Sequence, residues 1–307
     1  MFKIFSDTPC DFTLEYAESI GVSIVPLYVS FDGENYSKAQ YELTTEDFYN
    51  RMTSGKVYPK TSMPSVQDYI DYFLPYVKEN TPIIAITIST LFSGSFNSAN
   101  MAADQIREDY PDAQITVINS QLNSAAQGLL VYEAVRMNRD NVPYETVIKV
   151  LEEMTKLGTV YFVIEGLDYL QTGGRIGKVA SLITGMLNIR PVLYMNNGEI
   201  SISSITRTRK KSLTGVFEGV KRHFQTNNID PATYEFTTGS SDISDTGMAE
   251  REELRNRLES ELGVVCLENR ENVDMRVSMI TGCHTGSYTT GIGYMPKYET
   301  ILPLVEK

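Results

Sequence analysis

The 307-residue chain has only three cysteines and two histidines. Cys10, Cys266 and Cys283 lie far apart with no CxxC spacing. That argues against a disulfide framework or a zinc site and points to a reducing, cytoplasmic setting. Positive charge is in deficit: 27 Lys and Arg against 39 Asp and Glu give a net charge of -12. Such a balance speaks against a nucleic-acid binder or a binder of anionic membranes. No apolar run approaches the length of a bilayer span, so no stable membrane insertion is expected. The start of the chain turns polar at Ser6-Asp7, and no secretory leader is expected. Nucleotide motifs are also missing. No GxGxxG follows the first strand. Gly173-Gly174-Arg175-Ile176-Gly177-Lys178 is only loosely P-loop-like, because Thr172 and Val179 replace the first glycine and the magnesium-binding hydroxyl. No metal-ligand cluster is visible.

What is present is the balance of a globular protein, 42% hydrophobic and 21% charged. The length suits two domains, with the boundary expected near residue 150, giving units 1–150 and 151–307. The first half alternates strands and helices. Strands are expected over 2–5, 23–29, 83–88 and 115–118. Helices are expected over 11–20, from Ser65 onward, from Phe96 onward and over 128–137. Ser65 with Asp68 has the spacing of a capping box, and Val66, Tyr69, Ile70, Phe73 and Leu74 share one helical face. This alternation predicts a Rossmann-like, mainly parallel sheet covered on both faces, with sites beyond the carboxyl ends of its strands. The second half differs. A strand is expected over 160–164, an almost wholly apolar helix over 179–189, and a hairpin turning at Asn197-Gly198. A charged helix over 245–262 precedes a strand over 275–280, which ends in Thr281-Gly282-Cys283-His284-Thr285-Gly286.

The most informative stretch is Ser89-Thr90-Leu91-Phe92-Ser93-Gly94-Ser95. It joins a buried strand to a helix mouth, where outward N–H groups and the helix dipole favour an anion and a glycine permits close approach. No Lys or Arg lies between Asn80 and Ile106, so hydroxyls and amides would do the holding, which suits a carboxylate better than a triphosphate. Thr61 and Ser62 form a second hydroxyl pair, with a plain turn as the alternative. Ser120 sits in a third hydroxyl-bearing loop. His284, between two glycines, can be brought to a ligand or can be structural; His223 reads as a solvated surface residue. Asp7 and Asp11 read equally well as helix caps or as functional carboxylates. Ser93 with His284 could serve as a nucleophile and base, although no GxSxG elbow and no third member accompany them.

Taken in order along the chain, these segments resemble the DegV family of fatty-acid-binding proteins. The resemblance is carried by Ser6-Asp7-Thr8, Thr61 to Ser65, Ser93-Gly94-Ser95-Phe96-Asn97-Ser98-Ala99, Tyr169-Leu170-Gln171-Thr172-Gly173-Gly174-Arg175-Ile176, Leu187-Asn188-Ile189-Arg190-Pro191, Gly198 and Arg207-Thr208. Three departures stand out. His284-Thr285-Gly286-Ser287-Tyr288 keeps the family's histidine but lacks its following proline and second glycine. Asn119-Ser120 replaces Asp-Ser, and no histidine occurs in 234–239.

The resemblance implies two α/β domains with a long-chain fatty acid buried between them. It places Thr61, Ser62, Ser93 and Gly94 at the carboxylate, with His284 and Arg207 as support and Ser120 behind them. It implies no cofactor and no catalysis by this chain, which would present its lipid to a separate ATP-dependent fatty acid kinase. That kinase would form an acyl phosphate for phospholipid synthesis, and Arg175 would be the partner contact. Each buried methylene contributes about 0.8 kcal/mol, so a tail of about fifteen contributes on the order of 12 kcal/mol gross. Each hydrogen bond to a charged head contributes roughly 1.5–3 kcal/mol. The tail would therefore dominate affinity and the hydroxyls would fix orientation. The alternative is a hydrolase or phosphotransferase using Ser93 and His284; a regulatory module without a ligand is a weaker third reading.

Overall fold

A computed structural model describes residues 1–55, 57–177, 179–182 and 189–306. In chain order its elements are β1 (Lys3–Asp7), α1 (Leu14–Ser19), β2 (Val22–Val25), β3 (Tyr28–Ser30), β4 (Ser37–Lys38), α2 (Thr45–Thr53), β5 (Lys60–Ser62), α3 (Val66–Lys78), β6 (Ile83–Thr87), α4 (Ser95–Asp109), β7 (Ile115–Asn119), α5 (Ser124–Arg139) and α6 (Tyr144–Met154). There follow β8 (Thr159–Val163), α7 (Asp168–Thr172), α8 (Val179–Leu182), β9 (Arg190–Asn196), β10 (Glu199–Thr206), α9 (Arg209–Thr226), β11 (Tyr234–Ser240), α10 (Asp245–Leu262), α11 (Leu267–Glu271), α12 (Met279–Thr285), β12 (Thr290–Pro296) and α13 (Tyr298–Val305).

The fold is mixed α/β. Four strands in the order β2-β1-β6-β7 form a wholly parallel sheet, with Ile4 opposite both Val22 and Ile84. The period of two along β6 explains its covering. Ile84 and Ile86 face α5, while Ile83 and Ala85 face Tyr69 and Phe73 of α3 and Ala99, Ala103 and Ile106 of α4. The capping box at the start of α3 is formed: Ser65 Oγ accepts from Asp68 N–H, and Asp68 accepts from Ser65 N–H.

The second sheet is antiparallel, in the order β10-β9-β8-β12-β11. Tyr161, Val163, Phe236, Ile292 and Tyr294 pack under α9 and α10. Val160, Phe162, Leu193 and Met195 point the other way and join the α5 core. The hairpin turns at Asn197-Gly198, both with positive φ, as its twist requires.

A small sheet, β4-β3-β5, was not expected from the sequence. The strand expected over 23–29 is split at Pro26, which has no N–H to continue a ladder. The strand expected over 275–280 is a second correction. Ser278 caps a helix there, accepting from Thr281 N–H, and His284 lies within α12 rather than at a strand end. The apolar helix expected over 179–189 is observed at Val179–Leu182, and its expected continuation over 183–188 lies outside the described residues.

Candidate functional site

A cavity of about 260 Å³ opens beyond the carboxyl end of β6. Its walls come from the mouth of α4, from β5, from the start of α5, from α12 and from the α5-facing side of the antiparallel sheet. Val160, Phe162, Met195, Val277 and Ile280 make most of the wall apolar.

The polar part is a closed ring of contacts. The Thr61 hydroxyl lies 3.0 Å from Nε2 of His284. They meet because Thr61 sits on β5, paired to Val29 of β3, while α12 packs its Met279, Ile280 and Cys283 against Leu27 and Val29 of the same small sheet. Nδ1 of His284 sits against Gly173, where an added Cβ would lie 2.2 Å away. Gly173 O accepts from Nη1 of Arg175 at 2.6 Å. Nε and Nη2 of Arg175 donate to Phe92 O at 3.3 and 3.0 Å, one residue before Ser93. Gly94 then lies against Met63, whose Sδ would be 2.4 Å from a Cβ there, and Met63 leads back through Ser62 to Thr61.

The proton positions in this ring follow from its burial. His284 is held neutral: burial pushes its pKa down to about 4, and the Arg175 guanidinium acts in the same direction. Among the described residues buried Nδ1 has no hydrogen-bond partner, so a proton there would be stranded. The ring therefore carries its proton on Nε2 and donates it to Thr61 Oγ1, leaving the Thr61 O–H free to donate elsewhere. Ser93 is in the same state, since its Oγ accepts from Ser95 N–H at 3.2 Å. Two hydroxyls beside a guanidinium make a donor site suited to an anion.

Thr61, Ser62, Ser93, Gly94, Arg175 and His284 thus all line one cavity. Arg207 does not belong with them: it is exposed beyond β10 and is not among the described residues of the wall. Ser120 is buried elsewhere and closes its own turn, bonding Leu122 O and Leu122 N–H. The Ser93–His284 pairing is not formed among the described residues, because His284 turns to Thr61. Rather than Arg207, the cation in the cavity wall is Arg175, from the second half of the chain. Its guanidinium reaches inward to two carbonyls, a direction that Gly-Gly-Arg spacing does not reveal.

Asp7 and Asp11 are both buried carboxylates. Asp7 does not cap through its side chain; it accepts from Ile88 N–H, Ser95 O–H and Gln127. Asp11 accepts from Ser124 O–H and from Ser278 N–H. Burial raises Asp7 to about 6 and Asp11 to about 7. No group of three His, Cys, Asp or Glu side chains suited to a metal occurs among the described residues, and no helix there is long and apolar enough to cross a membrane. Cys10, Cys266 and Cys283 are buried free thiols.

Parallel and antiparallel sheets flanking one apolar cavity with a polar ring make this a mixed α/β protein of two unlike sheets. The family model described as "uncharacterised protein, DegV family" matches residues 1–297, and the chain belongs to the DegV family. It is similar in structure to a stearic-acid-binding protein of Eubacterium ventriosum, with 39% identity and a TM-score of 0.91 over 98% of this chain and 100% of that one. A DegV domain-containing protein of Clostridium perfringens is 27% identical over 296 residues, covering 96% of this chain and 97% of its relative. The fatty acid kinase B3 protein of Streptococcus pneumoniae, solved with linoleic acid, shares the fold at 20% identity and a TM-score of 0.77, over 96% of this chain and 99% of that one.

Proposed function

We propose that this protein binds a long-chain fatty acid in the cavity between its two units, 1–150 and 151–307. It then presents the carboxylate to a separate ATP-dependent fatty acid kinase for acyl-phosphate formation. The carboxylate accepts from the free hydroxyl protons of Thr61 and Ser93, with Ser62, Gly94 and His284 around it and Arg175 supplying positive charge. The tail runs along Phe162 and Met195. The observation that carries this reading is the presence of two hydroxyls, of Thr61 and Ser93, beside an apolar wall in one cavity. A carboxylic acid with a long tail is the ligand class that uses both.

The comparisons support the reading through the stearic-acid-binding relative, and the kinase step through the name of the pneumococcal one. The chain itself is a carrier acting in the cytoplasm, and the only small molecule it needs is its fatty acid. The loop bearing Arg175 is the kinase contact, as the family resemblance implies. Nothing in the cavity favours hydrolysis by Ser93, since its expected base is engaged by Thr61.

Mass spectrometry of an organic extract of the purified protein tests the reading. A stoichiometric fatty acid in the wild type, depleted in Ser93→Ala, is expected. Protein made where lipid is available that carries no fatty acid overturns it.

A further inference from the structure

Asp7 lies outside the cavity wall and is fully buried. It stands at the end of β1, and its carboxylate gathers donors from three other places. Ile88 N–H reaches Oδ1 and Oδ2 at 3.2 and 3.1 Å. Ser95 O–H reaches Oδ2 at 2.7 Å, and Gln127 of α5 reaches Oδ1 at 2.7 Å. Ser95 Oγ is also 2.7 Å from the hydroxyl of buried Tyr69.

Ile88 opens the loop that carries Ser93, and Ser95 closes it. The same carboxylate therefore ties both ends of one seven-residue stretch, 89–95, to the sheet beneath it. Ser95 also fixes Ser93 directly, through its N–H bond to Ser93 Oγ. A hydroxyl that must meet a carboxylate works only if it is held to within a fraction of an ångström, and that precision comes from the groups behind it.

We propose that Asp7 is a positioning residue for head-group recognition: by clamping Ile88 N–H and Ser95 O–H it holds the Ser93 hydroxyl in place, without touching the ligand. The inference rests on the reading of the cavity as a fatty-acid site. Its chemistry is geometric, so an amide can replace the acid. In Asp7→Asn, the carbonyl keeps Ile88 N–H and Gln127, while the NH2 donates to Ser95 Oγ, so that the loop keeps its ties at the cost of one hydroxyl proton of the Ser95–Tyr69 pair losing its acceptor. In Asp7→Ala three donors lose their acceptor and the loop is released.

The test compares hexadecanoic acid with hexadecan-1-ol, which has the same tail and no carboxylate, by competitive displacement of a fluorescent fatty acid. Asp7→Ala is expected to lower the preference for acid over alcohol about tenfold, with alcohol affinity kept within about threefold. Asp7→Asn is expected to keep the preference within about threefold of the wild type. Unchanged preference in Asp7→Ala overturns the proposal. So does a parallel loss of both ligands, which means general destabilisation, and so does an Asp7→Asn as impaired as Asp7→Ala, which means that the charge itself is required. A wild type that binds neither ligand overturns the fatty-acid reading instead, and thermal unfolding of each variant reports its fold separately.

Discussion

The hydroxyl of Thr61 and Nε2 of His284, 223 residues apart in sequence, lie 3.0 Å from each other at the polar end of the cavity. Because burial holds the imidazole neutral and its Nδ1 finds no acceptor among the described residues, the tautomer with Nε2 as donor is assigned to this pair. Thr61→Val keeps the β-branched shape that suits β5 and removes only the oxygen. A lost hydrogen bond to a charged head corresponds to roughly 1.5–3 kcal/mol, or about a tenfold or greater loss of affinity for a fatty acid. Affinity for the matching fatty alcohol should change less, while stability should fall by roughly 1–3 kcal/mol because the His284 Nε2–H loses its acceptor. Displacement titrations with both ligands check this; equal affinity of variant and wild type for the acid removes Thr61 from the head-group site.

Across the cavity, Gly239 of β11 faces Gly291 of β12, and both belong to its wall. The two positions respond oppositely to a side chain. At Gly239 a Cβ meets Val277 at 3.6 Å, an ordinary contact, so a side chain can start there, and Gly239→Val is expected to fill cavity space. At Gly291 a Cβ would lie 2.6 Å from the Tyr161 carbonyl oxygen, which cannot move aside without breaking the sheet. Gly239→Val should shift bound lipid toward shorter chains, each excluded methylene corresponding to about 0.8 kcal/mol. Gly291→Ala should instead destabilise by roughly 1–3 kcal/mol. Lipid mass spectra and thermal melts separate the two outcomes.

Much of this architecture can be read along the chain. The parallel sheet shows itself through β6, whose five buried residues end at once in a hydroxyl-rich loop. Ser65 with Asp68, and Asn197 with Gly198, announce a helix start and a hairpin by local chemistry alone. The small β4-β3-β5 sheet was hidden because its strands are two or three residues long and Thr61 mimics a turn residue. The segment before His284 looked like a strand because its apolar run is too short for a helical period to show. The inward reach of Arg175 and the burial of Asp7 and Asp11 depend on which distant groups fold over them, and spacing holds no record of that.

Ser65 offers a stability test apart from the cavity's polar ring. Its hydroxyl accepts from Asp68 N–H and donates to the Asp68 carboxylate. Ser65→Ala should cost about 1 kcal/mol, the usual loss for a helix N-cap. Fatty-acid affinity should stay at the wild-type level. Chemical denaturation measures the first quantity and ligand displacement the second; a loss of affinity without a loss of stability contradicts the assignment of Ser65 to capping.

Arg175 gives a spectroscopic handle on the ring. Burial is the larger cause of the low His284 pKa, and the guanidinium is the smaller. Arg175→Met keeps an apolar stem in the wall and removes the charge. The His284 pKa should then rise from about 4 toward the ordinary histidine range without reaching it, because burial persists. NMR titration of the imidazole in apo protein measures the change, and an unmoved or lower pKa shows that the guanidinium does not act on the ring.

Asp11 is one of the groups that make stability depend on pH. Burial raises its carboxyl from 3.8 to about 7 in the folded protein. The folded state therefore holds a proton that the unfolded state releases. This contribution is fully present below pH 3.8 and is lost as pH rises through about 7. Asn fits the site: position 11 has φ +65°, a conformation that Asn adopts readily, and a carbonyl can accept from Ser278 N–H while the NH2 donates to Ser124 Oγ. Asp11→Asn should thus gain stability relative to wild type as pH increases, by up to about 1.4 kcal/mol per pH unit within that window. His284 acts in the other direction, losing stability as pH falls from 6.5 toward 4, but it is common to both proteins and cancels in the difference. Thermal unfolding of the two proteins from pH 4 to pH 8 tests the sign, and a constant difference across that range shows that the Asp11 pKa is not raised on folding.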